Sequence, residues 1–411
     1  MDRDLTDERV YERERAGSVT RRGVLRLSAA GLGLAAVALS ERPARADTGP
    51  IVKPLPPELF TVYGSNAEMK WEAMLGQGYT TPIDRFFVRN HTRTPLIDAG
   101  SWRLRLWGTG LLGSPTEAAP IEFTYDQLRG LPSETVAAFI ECTGNGRSFY
   151  TSQQHQTVIG TPWKLGAVGV ASWRGVRLAR VLERAGLSRT AVDIMPRGLD
   201  DEFITGGVNL GRVRRPLPVA KALQDVLVAY EMNGEPLPPD HGFPVRLVVP
   251  SWVGIASIKW LGDIQVSDEP LHSPWNTQFY RLFGPGYPAE GSAPLTGQVT
   301  KSAFELPWAA TLAAGRTHVL HGRSWSGNGR IRQVQISTDG GATWHRADHG
   351  DQRGSRAWLR WQFRWRPEHP GSYVLLARGT DEAGIVQPDQ APYNTLGYLF
   401  GAVVQHPVTV A

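Results

Sequence analysis

The segment from Phe283 to Gly297 constrains the fold most, because it divides the chain into parts with different hydrophobic patterns. It is rich in Gly, Pro and Ser, as linkers are. Beyond it, Leu359–Trp365 alternates apolar with polar side chains, which indicates a strand with one buried face. Ile331–Ser337 followed by Asp-Gly-Gly is typical of a hairpin. We therefore predict an all-β sandwich of immunoglobulin type at residues 295–411.

The part before the linker, residues 47–285, mixes strands with fewer helices and predicts an α+β domain. Apolar residues from Leu178 to Ala185 keep helical spacing and stop at Gly186. Short apolar or alternating runs predict strands at 101–107, 135–141, 226–232, 245–249 and 255–266. A chain of 411 residues with 41% hydrophobic residues is large enough to bury a core in each of two domains.

The first 46 residues have the parts of an export signal. Arg21 and Arg22 precede an apolar run from Leu27 to Leu39, and Ala44-Arg45-Ala46 follows it. The run has 13 residues, fewer than the roughly 20 that span a bilayer. Paired arginines are typical of the twin-arginine pathway, which carries folded proteins. We expect a periplasmic or extracellular protein without a membrane span, and the alternative is a chance Arg pair before a buried helix.

A single cysteine, Cys142, excludes an intramolecular disulfide and clusters that need several thiolates. It ends a buried apolar run, and Gly144 and Gly146 follow it in a tight loop before Arg147. A thiolate near a cation can bind a soft metal or act as a nucleophile. A free cysteine is also often buried and inert, so the motif alone leaves both interpretations open. The net charge is +5, but the sequence contains no block of like charges, which argues against a nucleic-acid partner.

Several separated blocks, in order from about Phe86 to Pro388, resemble one family. They are Phe86–His91, Phe139–Arg147, Glu231–Gly234, Asp240–Arg246, Ile258–Gly262, Trp325–Gly327 and Asp339–Gly341. Together they resemble the sulfite oxidase family of molybdopterin enzymes.

The resemblance implies that Cys142 ligates molybdenum beside the dithiolene of a pterin cofactor. One soft thiolate suits a metal that cycles between oxidation states and leaves one side free for substrate. The implied cofactor-binding residues are Phe87, Val88, Arg89, Asn90, His91, Asp200, His241, Arg246, Ser257, Ile258 and Lys259. Taken singly, Arg246 and Lys259 could also be strand-surface charges, and His241 a turn residue.

The resemblance also implies a small oxyanion substrate, sulfite, oxidised to sulfate. The implied catalytic residues are Arg89, Arg147, Trp163 and Tyr280. Two positions depart from the family: Leu396 stands where some members carry a further substrate arginine in W-N-L-R-G, and Gly146 stands where some carry arginine. A pocket with less positive charge admits other substrates, so a sulfane-sulfur dehydrogenase subunit and a methionine sulfoxide reductase are the alternatives.

The resemblance further implies partners. We expect neither haem nor flavin in this chain, so that electrons leave to an external acceptor such as a c-type cytochrome. The second domain implies a homodimer. A hypothesis from another class is a secreted binding protein in which Cys142 is inert.

Overall fold

A computed structural model describes residues 49–411, and the predicted export signal at 1–46 lies outside them. The first half contains two sheets of five strands each. In the first sheet the strands Leu261–Ser267 and Arg103–Trp107 are parallel and the other neighbours antiparallel, in the order Leu217–Pro218, Asp193–Gly198, Leu261–Ser267, Arg103–Trp107, Ile121–Thr124. The second is antiparallel, with Glu235–Pro236, Leu227–Met232, Val168–Arg177 and Ser133–Glu141 in order and Arg246–Val248 beside Leu227–Met232.

The helices of the described residues are short. They are Tyr125–Arg129, Ser148–Ser152, Leu178–Arg184, Val219–Gln224 and Pro274–Thr277, with 3-10 turns at Trp71–Met74, Ile83–Arg85, Pro239–His241 and Gly254–Ala256. Two small hairpins pair Phe60–Tyr63 with Asn66–Met69 and Ile204–Thr205 with Val208–Asn209. The prediction of a strand-rich chain with few helices is confirmed.

The second half is all β, and its two sheets enclose one apolar core. One sheet has the order Lys301–Phe304, His318–Trp325, Leu359–Trp365, Asp348–Gln352; the other has the order Ala310–Leu312, His406–Val410, Gly371–Asp381, Ile331–Ser337, His345–Arg346. Trp361 and Trp365 pack in that core, as the alternation predicts. No described helix is long and apolar enough to cross a membrane.

Several local predictions can be compared with the structure. The helix ends at Arg184, close to Gly186, whose φ of +77° only glycine adopts readily. The strand predicted at 255–266 is wrong in its first part. That part forms the turn Gly254–Ala256, and the strand runs from Leu261 to Ser267. Alternation cannot separate a buried strand from a buried irregular segment that lines a cavity.

The two halves share a core. Apolar residues of both lie in one buried cluster, which includes Phe139, Val168, Ala303, Trp325 and Trp358. The segment predicted as a linker packs against the first half, since the Leu295 N–H donates to the Tyr280 carbonyl at 2.8 Å. The strand that leads to Cys142 is therefore supported from both halves.

Candidate functional site

Cys142 lies where two cavities meet. It follows the buried end of Ser133–Glu141, and its N–H donates to the Ala167 carbonyl at 2.9 Å. The side chain is 9% exposed. The first cavity has about 730 Å³ of space and the second about 950 Å³, both open in part to solvent. Cys142, Arg89, His91 and Tyr280 line both.

The first cavity brings together nearly all of the predicted cofactor-binding residues. They are Phe87, Arg89, Asn90, His91, Asp200, His241, Arg246, Ser257, Ile258 and Lys259. Val88 is the exception: it is fully buried, pairs with Ala67, and packs in the core that the two halves share.

Three buried polar atoms at this cavity have no hydrogen-bond partner among the described residues. They are Thr143 Oγ1, Asp200 Oδ1 and His241 Nε2. Buried polar groups are normally satisfied, so their convergence on one cavity indicates a polar ligand. Burial raises the pKa of Asp200 to about 7 and lowers that of His241 well below its usual value.

Two cations, buried Arg246 and half-buried Lys259, face the same cavity, and neither has an ion pair within residues 49–411. Arg246 donates to the carbonyls of His241 at 2.9 Å and Ser257 at 3.1 Å, and burial lowers its pKa to about 9. Lys259 donates to Asn90 Oδ1 and to the Asp240 carbonyl, and burial holds its pKa well below the usual value. Buried unpaired charge is costly, so this pair indicates an anionic ligand.

His91 lies between the cavities as a neutral acceptor. Trp275 Nε1 donates to its Nε2 at 3.1 Å, and an Arg89 guanidinium nitrogen lies 3.2 Å from the same atom. Burial and the neighbouring Arg89 lower the pKa of His91 well below its usual value. Because Nε2 accepts, the proton of the neutral ring lies on Nδ1.

The second cavity brings together the four predicted catalytic residues, Arg89, Arg147, Trp163 and Tyr280. Burial raises the pKa of Tyr280, so its phenol stays protonated and can donate a hydrogen bond. Its ring stacks on Tyr398 with centroids 5.2 Å apart. The backbone of Tyr280 has a φ of +56°. Bulky residues rarely adopt this conformation, and those that do cluster at functional sites.

Arg147 is held in one position. Nε donates to the Leu396 carbonyl and Nη1 to the Thr161 carbonyl, each at 2.8 Å. Gly144, Gly160 and Gly397 surround it so closely that a Cβ on any of them would lie within 3 Å of its side chain.

Glu68 contacts the segment that carries Trp163. It accepts from the Tyr63 hydroxyl at 3.0 Å and from the Lys164 N–H at 2.8 Å. Burial raises its pKa to about 7. Glu68 is not predicted from the sequence, because it lies on a short hairpin far along the chain from Trp163.

Some residues that do line the two cavities were also not predicted. Thr143 lies inside the cysteine motif and could have been inferred from its neighbours. Tyr398 and Ile159 come from distant segments that meet only in the fold, and no local pattern marks them. Leu396, which stands where some family members carry an arginine, lines the second cavity. This position therefore adds no positive charge to the cavity.

Comparisons with known proteins identify the family of the chain. Residues 91–275 match the oxidoreductase molybdopterin binding domain, and residues 302–410 match the Mo-co oxidoreductase dimerisation domain. The chain is 35% identical to mitochondrial sulfite oxidase of Rattus norvegicus over 82% of this chain and 62% of that one. It is 30% identical to nitrate reductase [NADH] of Ulva prolifera over 84% of this chain and 42% of that one.

A solved structure has the same fold. The sulfane dehydrogenase SoxCD of Paracoccus pantotrophus matches with a TM-score of 0.70 and 26% identity, over 85% of this chain and 84% of that one. These matches define a molybdopterin-dependent oxidoreductase. The chain belongs to the sulfite oxidase family, and it spans 62% of the length of the rat relative. The resemblance inferred from the sequence is confirmed.

The first cavity fits the group that this family implies. A pterin with a phosphate presents negative charge and many hydrogen-bonding edges, and Arg246, Lys259 and the unsatisfied atoms of Thr143, Asp200 and His241 complement both. No cluster of three or more His, Cys, Asp or Glu that could hold a metal ion occurs in the described part of the chain.

Proposed function

We propose that the chain oxidises sulfite to sulfate, with a molybdopterin cofactor in the first cavity and Cys142 as the protein ligand of molybdenum. Sulfite and water give sulfate, two protons and two electrons. When bound, the cofactor supplies the two-electron acceptor and the site of oxygen transfer. The observation that carries the proposal is the place of Cys142, between a cavity that Arg246 and Lys259 line and a cavity that Arg89 and Arg147 line.

The residues of the second cavity have separate roles in this proposal. Arg147 and Arg89 bind and orient the anion, since guanidinium groups pair with oxyanions and stay charged at working pH. Tyr280 donates a hydrogen bond beside Cys142. Trp163 is 1% exposed and forms an apolar wall that excludes water and so strengthens the charge interactions.

We further infer an external electron acceptor, of which a c-type cytochrome is one kind, and a homodimer. The homodimer is supported by the match of residues 302–410 to a dimerisation domain. Export by the twin-arginine pathway rests on the sequence of residues 1–46. An immunoglobulin-type strand arrangement is our inference for the second half, supported by its two sheets around one core.

A sulfane-sulfur substrate is the second candidate, and one observation favours it. Leu396, Ile159 and Phe279 make part of the second cavity apolar, which suits a sulfane-sulfur substrate better than a small oxyanion. The structural similarity to SoxCD supports the same reading. A methionine sulfoxide reductase is compatible with the same apolar lining, but nothing further favours it.

The test is steady-state turnover of purified holoprotein, with ferricyanide or cytochrome c as acceptor. We expect about one molybdenum per chain and turnover of sulfite. Turnover of thiosulfate or of a protein-bound persulfide would indicate a sulfane-sulfur substrate. Reduction of methionine sulfoxide by a reduced dye would indicate a methionine sulfoxide reductase. Cys142→Ser should keep the fold, measured by circular dichroism, and lose turnover. Full activity in Cys142→Ser, or a wild-type protein without molybdenum, would contradict the proposal.

A further inference from the structure

A buried carboxylate directly before Cys142 is held by the second half of the chain. Lys301 Nζ lies 2.7 Å from Glu141 Oε1, and Trp325 Nε1 donates to the other carboxylate oxygen at 2.9 Å. Neither member of the ion pair is more than 3% exposed, and Trp325 is fully buried. Lys301 and Trp325 face each other on paired antiparallel strands. Both donors are therefore presented by one rigid sheet.

The same lysine also holds the far end of the cysteine loop. Lys301 Nζ donates to the Asn145 carbonyl at 2.7 Å, and Asn145 Nδ2 donates to Glu141 Oε1 at 2.9 Å. Asn145 Oδ1 accepts from the Ala167 N–H at 3.1 Å. One ammonium group thus fixes the residues on both sides of Cys142, and the loop between them has little freedom.

Stability alone gives a weak reason for this arrangement. Burying two charges costs solvation, and well-packed apolar residues often replace a buried ion pair without loss. The surrounding junction of the two halves is apolar. What an ion pair with shared hydrogen bonds does supply is a single geometry, because Lys301 Nζ and Glu141 Oε1 each bind two partners that must be in place together.

We propose that Lys301 and Trp325 are positioning residues: through Glu141 and Asn145, the second half sets the position of Cys142 toward the metal. This inference rests on the proposed function, in which Cys142 is the ligand. The second half matches a dimerisation domain. The inference gives it an additional role, in the metal site.

The test compares two matched pairs of holoenzyme variants. Lys301→Met removes the buried cation at the loop, and Arg323→Met removes another buried cation of the second half, which pairs with Glu305 away from Cys142. Trp325→Phe removes one indole donor to Glu141. Trp361→Phe removes a similar donor, which bonds to a serine inside the sandwich.

Three quantities are measured for each variant: molybdenum per chain, the electron paramagnetic resonance spectrum of the half-reduced metal, and kcat. We expect Lys301→Met to shift the spectrum and to lower kcat or metal content by about 10- to 100-fold. Trp325→Phe should shift the spectrum less. Arg323→Met and Trp361→Phe should keep the wild-type spectrum.

Equal spectra within each pair would overturn the inference. If Lys301→Met does not fold, Trp325→Phe against Trp361→Phe decides by the same spectral criterion. A wild-type protein without molybdenum would overturn the proposed function itself. If the wild-type protein holds molybdenum and both Lys301→Met and Trp325→Phe keep its spectrum, only the positioning role is overturned.

Discussion

Replacing Gly397 by alanine should displace Arg147 and weaken anion binding. The added Cβ would lie 2.7 Å from Arg147 Cγ and 3.0 Å from Val158 Cγ2, closer than such atoms approach. Arg147 cannot move away freely, because its Nε already donates to the carbonyl of Leu396, the residue before the substitution. The new methyl group therefore moves the guanidinium or breaks that bond.

The size of the effect follows from two separate costs. Gly397 has a φ of +56°, a left-handed conformation that costs a residue with a Cβ about 1–2 kcal/mol. The overlap with Arg147 adds about 1–3 kcal/mol, as overpacking does elsewhere. A displaced Arg147 also loses one hydrogen bond to the bound anion, and a bond to a charged group is worth about 1.5–3 kcal/mol. That loss corresponds to a rise of roughly 10- to 150-fold in the KM for the anion.

Gly315→Ala is the matched control. Its φ is +69°, and no atom lies within 4 Å of the position of a Cβ, so it carries the backbone cost without the overlap. The assay is steady-state oxidation of sulfite, with urea unfolding of both variants. We expect a raised KM in Gly397→Ala alone and a stability loss about 1–3 kcal/mol larger than in Gly315→Ala. Equal KM values in the two variants would refute the reasoning.

Four further outcomes are expected. Arg147→Gln should raise the KM for sulfite at least about tenfold with unchanged molybdenum content; an unchanged KM would remove Arg147 from the anion site. Lys259→Met should lose pterin and molybdenum, measured by released-pterin fluorescence and mass spectrometry, because an anion-binding charge is gone, whereas Lys70→Met should retain both. Leu396→Arg should lower the KM for sulfite, less so at high salt because screening weakens the added charge; no change would favour a substrate without the anion. Burial raises the pKa of Glu68 to about 7 in the folded protein, against its ordinary value of 4.5 in the unfolded chain, so its contribution to stability falls as pH rises between these values. Glu68→Gln should remove that slope, about 3 kcal/mol in urea unfolding, and an unaltered slope would contradict the burial argument.

The sequence predicted best those elements whose pattern reflects one local cause. Leu359–Trp365 alternates because one face is buried, and Leu178–Arg184 ends where glycine permits a left-handed residue. The strand predicted at 255–266 was wrong in its first part because those residues line a cavity. The order of side chains around a cavity does not reflect the two-residue repeat of a strand.

The site was predictable where residues lie in continuous blocks and was missed where distant segments meet. Arg89, Asn90 and His91 are consecutive, and all of them reach the first cavity. Glu68 and Tyr398 carry no local signal, because their importance comes from contacts with residues far along the chain. A composition rich in arginine also gave no indication of which cations are buried.

The two cations of the first cavity connect the site to the order of cofactor insertion and the export that we propose. Arg246 and Lys259 lack ion-pair partners in the described chain, so the folded protein without its anionic cofactor bears the cost of their burial. A ligand that binds only the folded state adds stability in proportion to the logarithm of its concentration over its Kd. Cofactor insertion should therefore stabilise the fold as well as complete the site. The twin-arginine export that we propose suits a chain of this kind, because that pathway carries folded proteins and the cofactor could be enclosed before transport.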